Sequence, residues 1–133
     1  MESVVLVDSC VFITLLKQGR DPAAELLARS TTLDLATCGM VRLEVLRGLS
    51  SPKLRRAMGE FLDVMQNVPT DNRLWSEAIE VALQTRAIGW NLPAGDVVIG
   101  ACARRIGAAV LTFDKDFKAI DGLQVYHSLD ELE

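Results

Sequence analysis

The chain has 133 residues, of which 50% are hydrophobic, and its net charge is −4. A chain of this length suits one domain with one core, and its apolar composition excludes a disordered protein. The acidic balance argues against broad binding of nucleic acid through a basic surface, and no apolar run reaches the ~18 residues of a membrane span. The N-terminal residues are acidic and strand-like, unlike a signal peptide, so we expect one cytoplasmic domain over residues 1–133.

Few residues are available for nucleophilic or zinc chemistry. Cys10, Cys38 and Cys102 lie in apolar surroundings without a CxxC partner. We interpret them as small buried side chains and not as disulfide partners or zinc ligands. The single histidine, His127, lies near the C-terminus, where a surface position is expected. The sequence therefore offers few residues for catalysis by a Ser-His or Cys-His pair.

An acid follows the first predicted strand. Residues 4–7 form an apolar, β-branched run that is typical of a buried parallel strand, and it ends at Asp8-Ser9 before a helix over residues 11–16. Open α/β sheets place functional groups at the carboxyl end of such a strand. Asp8 could also serve only as the helix cap, although Ser9 is able to fill that role.

A second acid lies on a helix that begins at Met40, after a short helix over residues 23–29 and a strand over residues 33–37. Glu44 adjoins the apolar stripe of this helix, and Gly48, one turn later, would leave room for a ligand beside it. A solvent-exposed glutamate is the simpler interpretation at this stage.

The next helix begins at Ser51-Pro52 and has a wide apolar face, made of Leu54, Ala57, Met58, Phe61, Leu62 and Met65. Core packing is the first interpretation of this face, and a docked partner helix is the second. The helical hairpin over residues 42–65 also has the densest basic group, which would meet phosphates, an acidic partner or water: Arg42, Arg47, Lys53, Arg55 and Arg56.

The remaining elements continue the alternation. We predict a strand over residues 68–70, a helix capped by Asp71 that runs to about Gly89, and an edge strand over residues 123–126. The inward side chains of that helix are predicted to be Leu74, Ala78, Val81, Ala82 and Ile88. Alternating strands and helices predict a three-layer α/β/α sandwich with a central, mostly parallel sheet of four to five strands.

Residues 92–117 bring further acids. The pattern predicts a helix over residues 94–105 that Gly107 ends, with Asp96 in its first turn on the apolar stripe, then a strand over residues 108–112. Asp114 and Asp116 follow that strand. Asp96 could merely complement the helix dipole, and Asp114 could cap a short helix.

If the two acid-bearing strands are neighbours, Asp8, Glu44, Asp96 and Asp114 reach one edge of the sheet. Two carboxylates about 4 Å apart repel by roughly 4 kcal/mol at an effective dielectric of about 20. Several such pairs would rival a domain's whole stability of about 5–15 kcal/mol, so a true cluster binds a cation or holds protons. Oxygen ligands without His or Cys favour Mg²⁺ or Mn²⁺, and metal-assisted phosphodiester hydrolysis follows as the reaction class.

Four segments together resemble the PIN-domain ribonucleases, and among them the VapC-type toxins of toxin–antitoxin pairs: VLVDSCVF, MVRLEVLRG, LPAGDVVIGACA and VLTFDKDF. They occur in the family's order and span nearly the whole chain. Gly95 stands where the family more often has Ala.

The resemblance implies a metal-binding quartet of Asp8, Glu44, Asp96 and Asp114, supported by Ser9, Thr112 and, less essentially, Asp116. It also implies cleavage of unpaired RNA with Mg²⁺ or Mn²⁺, a homodimer, and inhibition by a small antitoxin that docks on the helical hairpin. The alternative is a PIN-fold binding module that has lost catalysis and acts through protein partners.

Overall fold

The computed structural model describes residues 3–30 and 32–132. Its centre is a five-stranded, all-parallel sheet of strand order β3-β2-β1-β4-β5. The strands are β1 Ser3–Val7, β2 Leu33–Cys38, β3 Gln66–Val68, β4 Ala109–Leu111 and β5 Val125–Tyr126. The helices are α1 Ser9–Lys17, α2 Pro22–Arg29, α3 Gly39–Arg47, α4 Pro52–Asp63, α5 Asn72–Ala87 and α6 Ala94–Arg105, with 3₁₀ turns over Asp116–Ala119 and Leu129–Leu132. The predicted α/β/α sandwich is confirmed.

Strand β1 lies in the middle of the sheet. It pairs with β2 on one side and with β4 on the other, and Val5, Leu6 and Val7 are at most 1% exposed. An unbroken run of apolar β-branched residues suits a strand that is covered on both faces. All five strands are parallel, so their carboxyl ends meet at one edge, and the segments after β1 and β4 lie side by side there.

Helix α6 has the predicted bounds. Pro93 precedes its first residue, and Gly107 follows its end with a φ of +66°, a left-handed conformation that glycine adopts without strain. Seven consecutive residues, from Val97 to Ala103, are buried, so the helix is covered on nearly all sides. Asp96, one residue earlier, is thus held at the point where this buried helix begins.

Two predicted details are wrong. Strand β3 covers Gln66–Val68 and not residues 68–70, because Pro69 has no amide hydrogen to continue the ladder. Ile88 is 69% exposed, since α5 ends at Ala87 before Gly89 turns the chain. The buried position near that end belongs to Thr85, whose hydroxyl donates to the carbonyl of Val81.

Smaller differences concern the apolar faces and edges. Ala57, predicted on the inward face of α4, is exposed, whereas Met58, Phe61, Leu62 and Met65 are buried as predicted. Of the predicted edge strand over residues 123–126, only Val125–Tyr126 pairs with β4. Within the described residues the longest helix has 16 residues, and none combines the length and the apolarity that crossing a bilayer demands.

Candidate metal centre

Asp8 follows β1 and is only 3% exposed. It occupies the position before α1, yet its side chain makes no capping hydrogen bond, so capping does not account for it. Its Oδ2 atom accepts hydrogen bonds from Thr112 Oγ1 at 2.8 Å and from Cys10 Sγ at 3.0 Å. Burial raises the pKa of Asp8 despite these donors. Ser9 adds weaker contacts to this carboxylate, with its Oγ atom 3.5 Å from Asp8 Oδ1 and with its backbone N–H as a further donor.

The segment after β4 is tied to Asp8 through Thr112. The Thr112 hydroxyl donates to Asp8 and accepts from the backbone N–H of Asp114 at 3.0 Å. Asp114 Oδ1 in turn accepts from the backbone N–H of Asp116 at 3.0 Å, which turns the chain into the 3₁₀ segment. One buried hydroxyl therefore links the acids that follow the two central strands.

Asp96 meets the other acids at the start of α6. Its pKa is raised to about 7, first by burial and then by the charges of Asp8, Asp114, Glu44 and Asp116, in that order of effect. The carboxylate oxygens of Asp96, Asp114 and Asp116 lie within 4.8 Å of one another. Asp116, which the sequence ranks as a secondary residue, is thus a close member of the cluster.

Glu44 reaches the same edge from α3. Its Oε1 atom accepts a hydrogen bond from Ser9 Oγ at 3.0 Å. A Cβ at Gly95 would lie 3.0 Å from Glu44 Oε2, so the missing side chain of Gly95 makes room for this carboxylate. Gly48, which the sequence suggested for that purpose, has no contact with the carboxylate, since a Cβ there would meet only backbone carbonyls of its own helix.

Five acids form one anionic site: Asp8, Glu44, Asp96, Asp114 and Asp116. Among the described residues, the lysines and arginines pair elsewhere or face solvent, and none forms an ion pair with these five. The donors are all oxygens, and opposite oxygens around Mg²⁺ stand about 4 Å apart, which the spacing of the cluster allows. The residues fit a Mg²⁺ or Mn²⁺ ion.

The comparison with protein families agrees with this geometry. The PIN domain family matches residues 5–123, which contain all five acids. The chain belongs to the PIN domain family. Members of this family are generally nucleases and typically bind divalent metals.

Solved structures support the same fold for this PIN domain. VapBC2 from Rickettsia felis, bound to a promoter DNA fragment, superposes with a TM-score of 0.77 at 16% identity over 92% of this chain and 97% of that chain. DNA-bound VapBC from Salmonella typhimurium superposes with a TM-score of 0.75 at 18% identity, over 95% of this chain and 98% of that chain. VapBC-1 from nontypeable Haemophilus influenzae superposes with a TM-score of 0.74 at 18% identity, over 92% of this chain and 96% of that chain. The predicted resemblance to VapC-type PIN domains is confirmed at the level of the fold. A search of curated proteins found no match.

Cys10 has a role in this PIN domain that the sequence did not reveal. Its thiol donates to Asp8, lies 3.4 Å from Thr112 Oγ1, and accepts from the backbone N–H of Phe113 at 3.4 Å. Burial and then the charge of Asp8 raise the pKa of this thiol to about 12, so it stays a neutral donor. Its sequence surroundings are apolar, and only the fold brings it to a carboxylate. Cys38 and Cys102 are buried, as predicted.

Proposed function

We propose that residues 1–133 form one PIN nuclease domain, a Mg²⁺- or Mn²⁺-dependent endoribonuclease that acts in the cytoplasm as the toxin of a type II toxin–antitoxin pair. The observation that carries the proposal is the convergence of five acids, none of which forms an ion pair with a lysine or arginine within residues 3–30 and 32–132: Asp8, Glu44, Asp96, Asp114 and Asp116. Such a cluster is tolerable only when a cation or protons offset its charge. The resemblance of four sequence segments to the PIN-domain ribonucleases supports RNA as the substrate.

The acids would hold the ion, and the neighbouring polar groups would hold the acids. Asp96, Asp114 and Asp116 have oxygens close enough to share one ion, and Asp8 and Glu44 border them. Thr112 fixes Asp8, and Ser9 fixes Glu44. A bound divalent ion would orient the phosphodiester, lower the pKa of a water and offset charge on the leaving oxygen.

An antitoxin would dock in an apolar groove of about 430 Å³ between α1, α3 and α4. The groove is lined by Ile13, Leu16, Lys17, Val45, Gly48, Leu49 and Leu54. Its apolar lining suits one face of an amphipathic helix. Exposed basic residues on α3 and α4, Arg47, Lys53, Arg55 and Arg56, favour an acidic partner.

A homodimer is the second proposed assembly. Helix α5 buries one face and exposes large apolar side chains at helical spacing on another, namely Trp75, Ile79 and Leu83, which are 45–61% exposed. A contiguous apolar stripe of this kind is typical of an interface. Native mass spectrometry tests this proposal, with a mass of twice the chain as the expected result.

The decisive experiment compares Asp96→Asn with Asp34→Asn. Both replace one carboxylate by an amide, but Asp34 is exposed on β2, away from the cluster. We expect Asp96→Asn to abolish cleavage of total cellular RNA and Asp34→Asn to cleave as the wild type does. Chelation should stop the wild type, and added Mg²⁺ or Mn²⁺ should restore it.

The same experiment tests the alternative of a catalytically silent binding module. A wild-type protein that is inactive on RNA with either ion, yet binds its antitoxin, would favour that alternative. Cleavage that is indifferent to both the chelator and Asp96→Asn would contradict the metal site itself.

A further inference from the structure

An aromatic ring is exposed immediately beside the acids. Phe113 and Phe117 both lie in the segment after β4, but Phe117 is fully buried whereas Phe113 is 37% exposed. The other strongly exposed aromatic residues in the described chain are Trp75 on α5 and Trp90 before α6. Exposing a large apolar ring forgoes the stabilisation that burial would bring. Packing of the core therefore does not account for Phe113.

The backbone that carries this ring is fixed by the site. The N–H of Thr112 donates to the carbonyl of Tyr126 at 2.9 Å, and the N–H of Phe113 donates to Cys10 Sγ at 3.4 Å. The next N–H, that of Asp114, donates to Thr112 Oγ1 at 3.0 Å. Three consecutive amides are thus bonded, two of them to side chains that hold Asp8. Phe113 is therefore an exposed aromatic residue on a fixed backbone, directly next in the chain to Asp114 of the acid cluster.

An RNA substrate needs affinity that the net charge of this protein does not supply. The net charge is −4, and the site itself is anionic. Phosphate contacts by lysine and arginine are the usual source of affinity for nucleic acid, and the segment from Thr112 to Ala119 offers two exposed lysines for them, Lys115 and Lys118. Unpaired bases can also stack on an aromatic face, an interaction that tolerates any sequence.

We propose that Phe113 stacks against an unpaired base next to the phosphodiester at the metal centre. This inference rests on the proposed ribonuclease function and adds a substrate-binding residue to it. A ring on this fixed backbone would select unpaired RNA, because a base inside a duplex has no free face to offer. The competing explanation is that Phe113 contacts a protein, either the antitoxin or a second copy of the chain.

The test measures binding and cleavage of a short single-stranded oligoribonucleotide of mixed sequence that contains 2-aminopurine. Binding is measured in the Asp96→Asn background, where the RNA stays intact. Phe113→Leu, which keeps an apolar side chain but removes the ring, should weaken binding by about 5- to 150-fold and abolish the stacking-dependent quenching of 2-aminopurine. Phe113→Tyr, which keeps the ring, should retain both. Trp90→Leu, which removes a similarly exposed aromatic ring (38%) from the segment between α5 and α6, is the matched control and should bind as the parent does.

Further readouts separate stacking from a structural role. In the Asp96-containing enzyme, Phe113→Leu should raise KM for the same RNA. It should leave the melting temperature and the Mn²⁺ affinity, measured by calorimetry, unchanged.

Unchanged RNA binding and quenching in Phe113→Leu would overturn the inference while leaving the ribonuclease proposal intact. Loss of antitoxin binding or of dimers in this variant, with RNA binding retained, would assign Phe113 to a protein interface. A wild-type protein that neither binds nor cuts RNA would refute the proposed function, and the inference with it.

Discussion

Two buried threonines differ in what their hydroxyl groups do. Thr112 Oγ1 donates to Asp8 and accepts from the Asp114 backbone, whereas Thr37 Oγ1 has no hydrogen-bond partner among the described residues. Both side chains are at most 1% exposed. The pair therefore separates the effect of losing a hydroxyl from the effect of losing a bonded hydroxyl.

We expect Thr112→Val to lower the free energy of unfolding by about 1–3 kcal/mol, because the buried Asp8 carboxylate loses one of the two hydrogen-bond donors to its Oδ2 atom and the Asp114 backbone N–H loses its acceptor. It should also weaken Mn²⁺ binding, since Asp8 loses its shortest hydrogen bond. Thr37→Val should be neutral or stabilising. Urea denaturation with chelator and calorimetry with Mn²⁺ measure the two effects, and equal losses in both variants would contradict the assigned role of Thr112.

The charge of Asp96 lowers the folding stability of the metal-free protein. Its pKa rises from 3.8 to about 7 on folding, so between these values the folded chain binds more protons than the unfolded chain does. Stability therefore falls as pH rises through this window, and the cost is fully present above about pH 7. Binding of a cation would remove it, which links the site's function to its instability.

We expect Asp96→Asn to raise the melting temperature in chelator, and to raise it more at about pH 8 than at about pH 4. The amide removes one charge from the repulsive group without changing side-chain size much. Thermal scans at both pH values measure the difference. Asp34→Asn controls for general changes of charge, and a stabilisation that is independent of pH would contradict the repulsion among the acids.

At the scale of elements, the chain's own signals located the helices better than the short strands. Pro93 and Gly107 bracket α6, and the prediction matched Ala94–Arg105. Strand β3 has only three residues, and its position depends on pairing with Ala36, Thr37 and Cys38, which no local pattern reveals. The candidate site was also predictable only in part: an acid that follows a buried strand is visible in the sequence. Asp116 was likewise visible after β4, but it was ranked as less essential because only the 3₁₀ turn brings it close to Asp96 and Asp114. The contact of Cys10 with Asp8 was not visible, because no local pattern indicates it.

Helices α5 and α6 are joined by an ion pair that also caps α5. Asp71 Oδ1 accepts from the backbone N–H of Leu74 at 2.9 Å, and Arg105 donates to both oxygens of Asp71 at 2.7 and 2.9 Å. The hydrogen bonds from Arg105 are the main cause that lowers the pKa of Asp71 from 3.8 to about 2. The charge of Asp71 thus stabilises the fold above about pH 4, and this contribution disappears as pH falls towards 2.

Asp71→Asn keeps an oxygen for the cap but loses the charge, whereas Asp71→Ala loses both. We expect the midpoint of urea denaturation at neutral pH to fall slightly in the first variant and further in the second. The difference in denaturation midpoint between the wild type and Asp71→Asn should disappear as pH falls from about 4 to 2. Arg105→Gln should show the same difference, and a difference that persists at low pH would contradict the ion pair as its cause.

At the scale of the molecule, the acid cluster and the proposed docking groove are built from different elements except for helix α3, which contributes to both. The cluster uses the ends of β1 and β4 with the start of α6, and the groove uses α1, α3 and α4. Helix α3 belongs to both, because it carries Glu44 and also lines the groove through Val45 and Gly48. A docked helix would therefore rest on the element that holds one of the acids.

We expect Leu54→Glu to prevent neutralisation by an acidic antitoxin while leaving RNA cleavage intact, because it adds a like charge to the groove wall away from the cluster. Leu27→Glu on α2 is the control, since Leu27 is 57% exposed and does not line this groove. Pull-down and cleavage assays with the antitoxin measure the outcome. Neutralisation of both variants alike would place the antitoxin elsewhere.

The pairing of β1 with β4 has a consequence for synthesis. Thr112 and Asp8 are 104 residues apart, and β1 lies between β2 and β4 in the finished sheet. A nascent chain that has not yet emerged as far as β4 lacks both the hydroxyl that holds Asp8 and the last two acids. If the protein cuts RNA, the ribosome that makes it is therefore exposed to an active site only after β4 and the acids behind it have emerged.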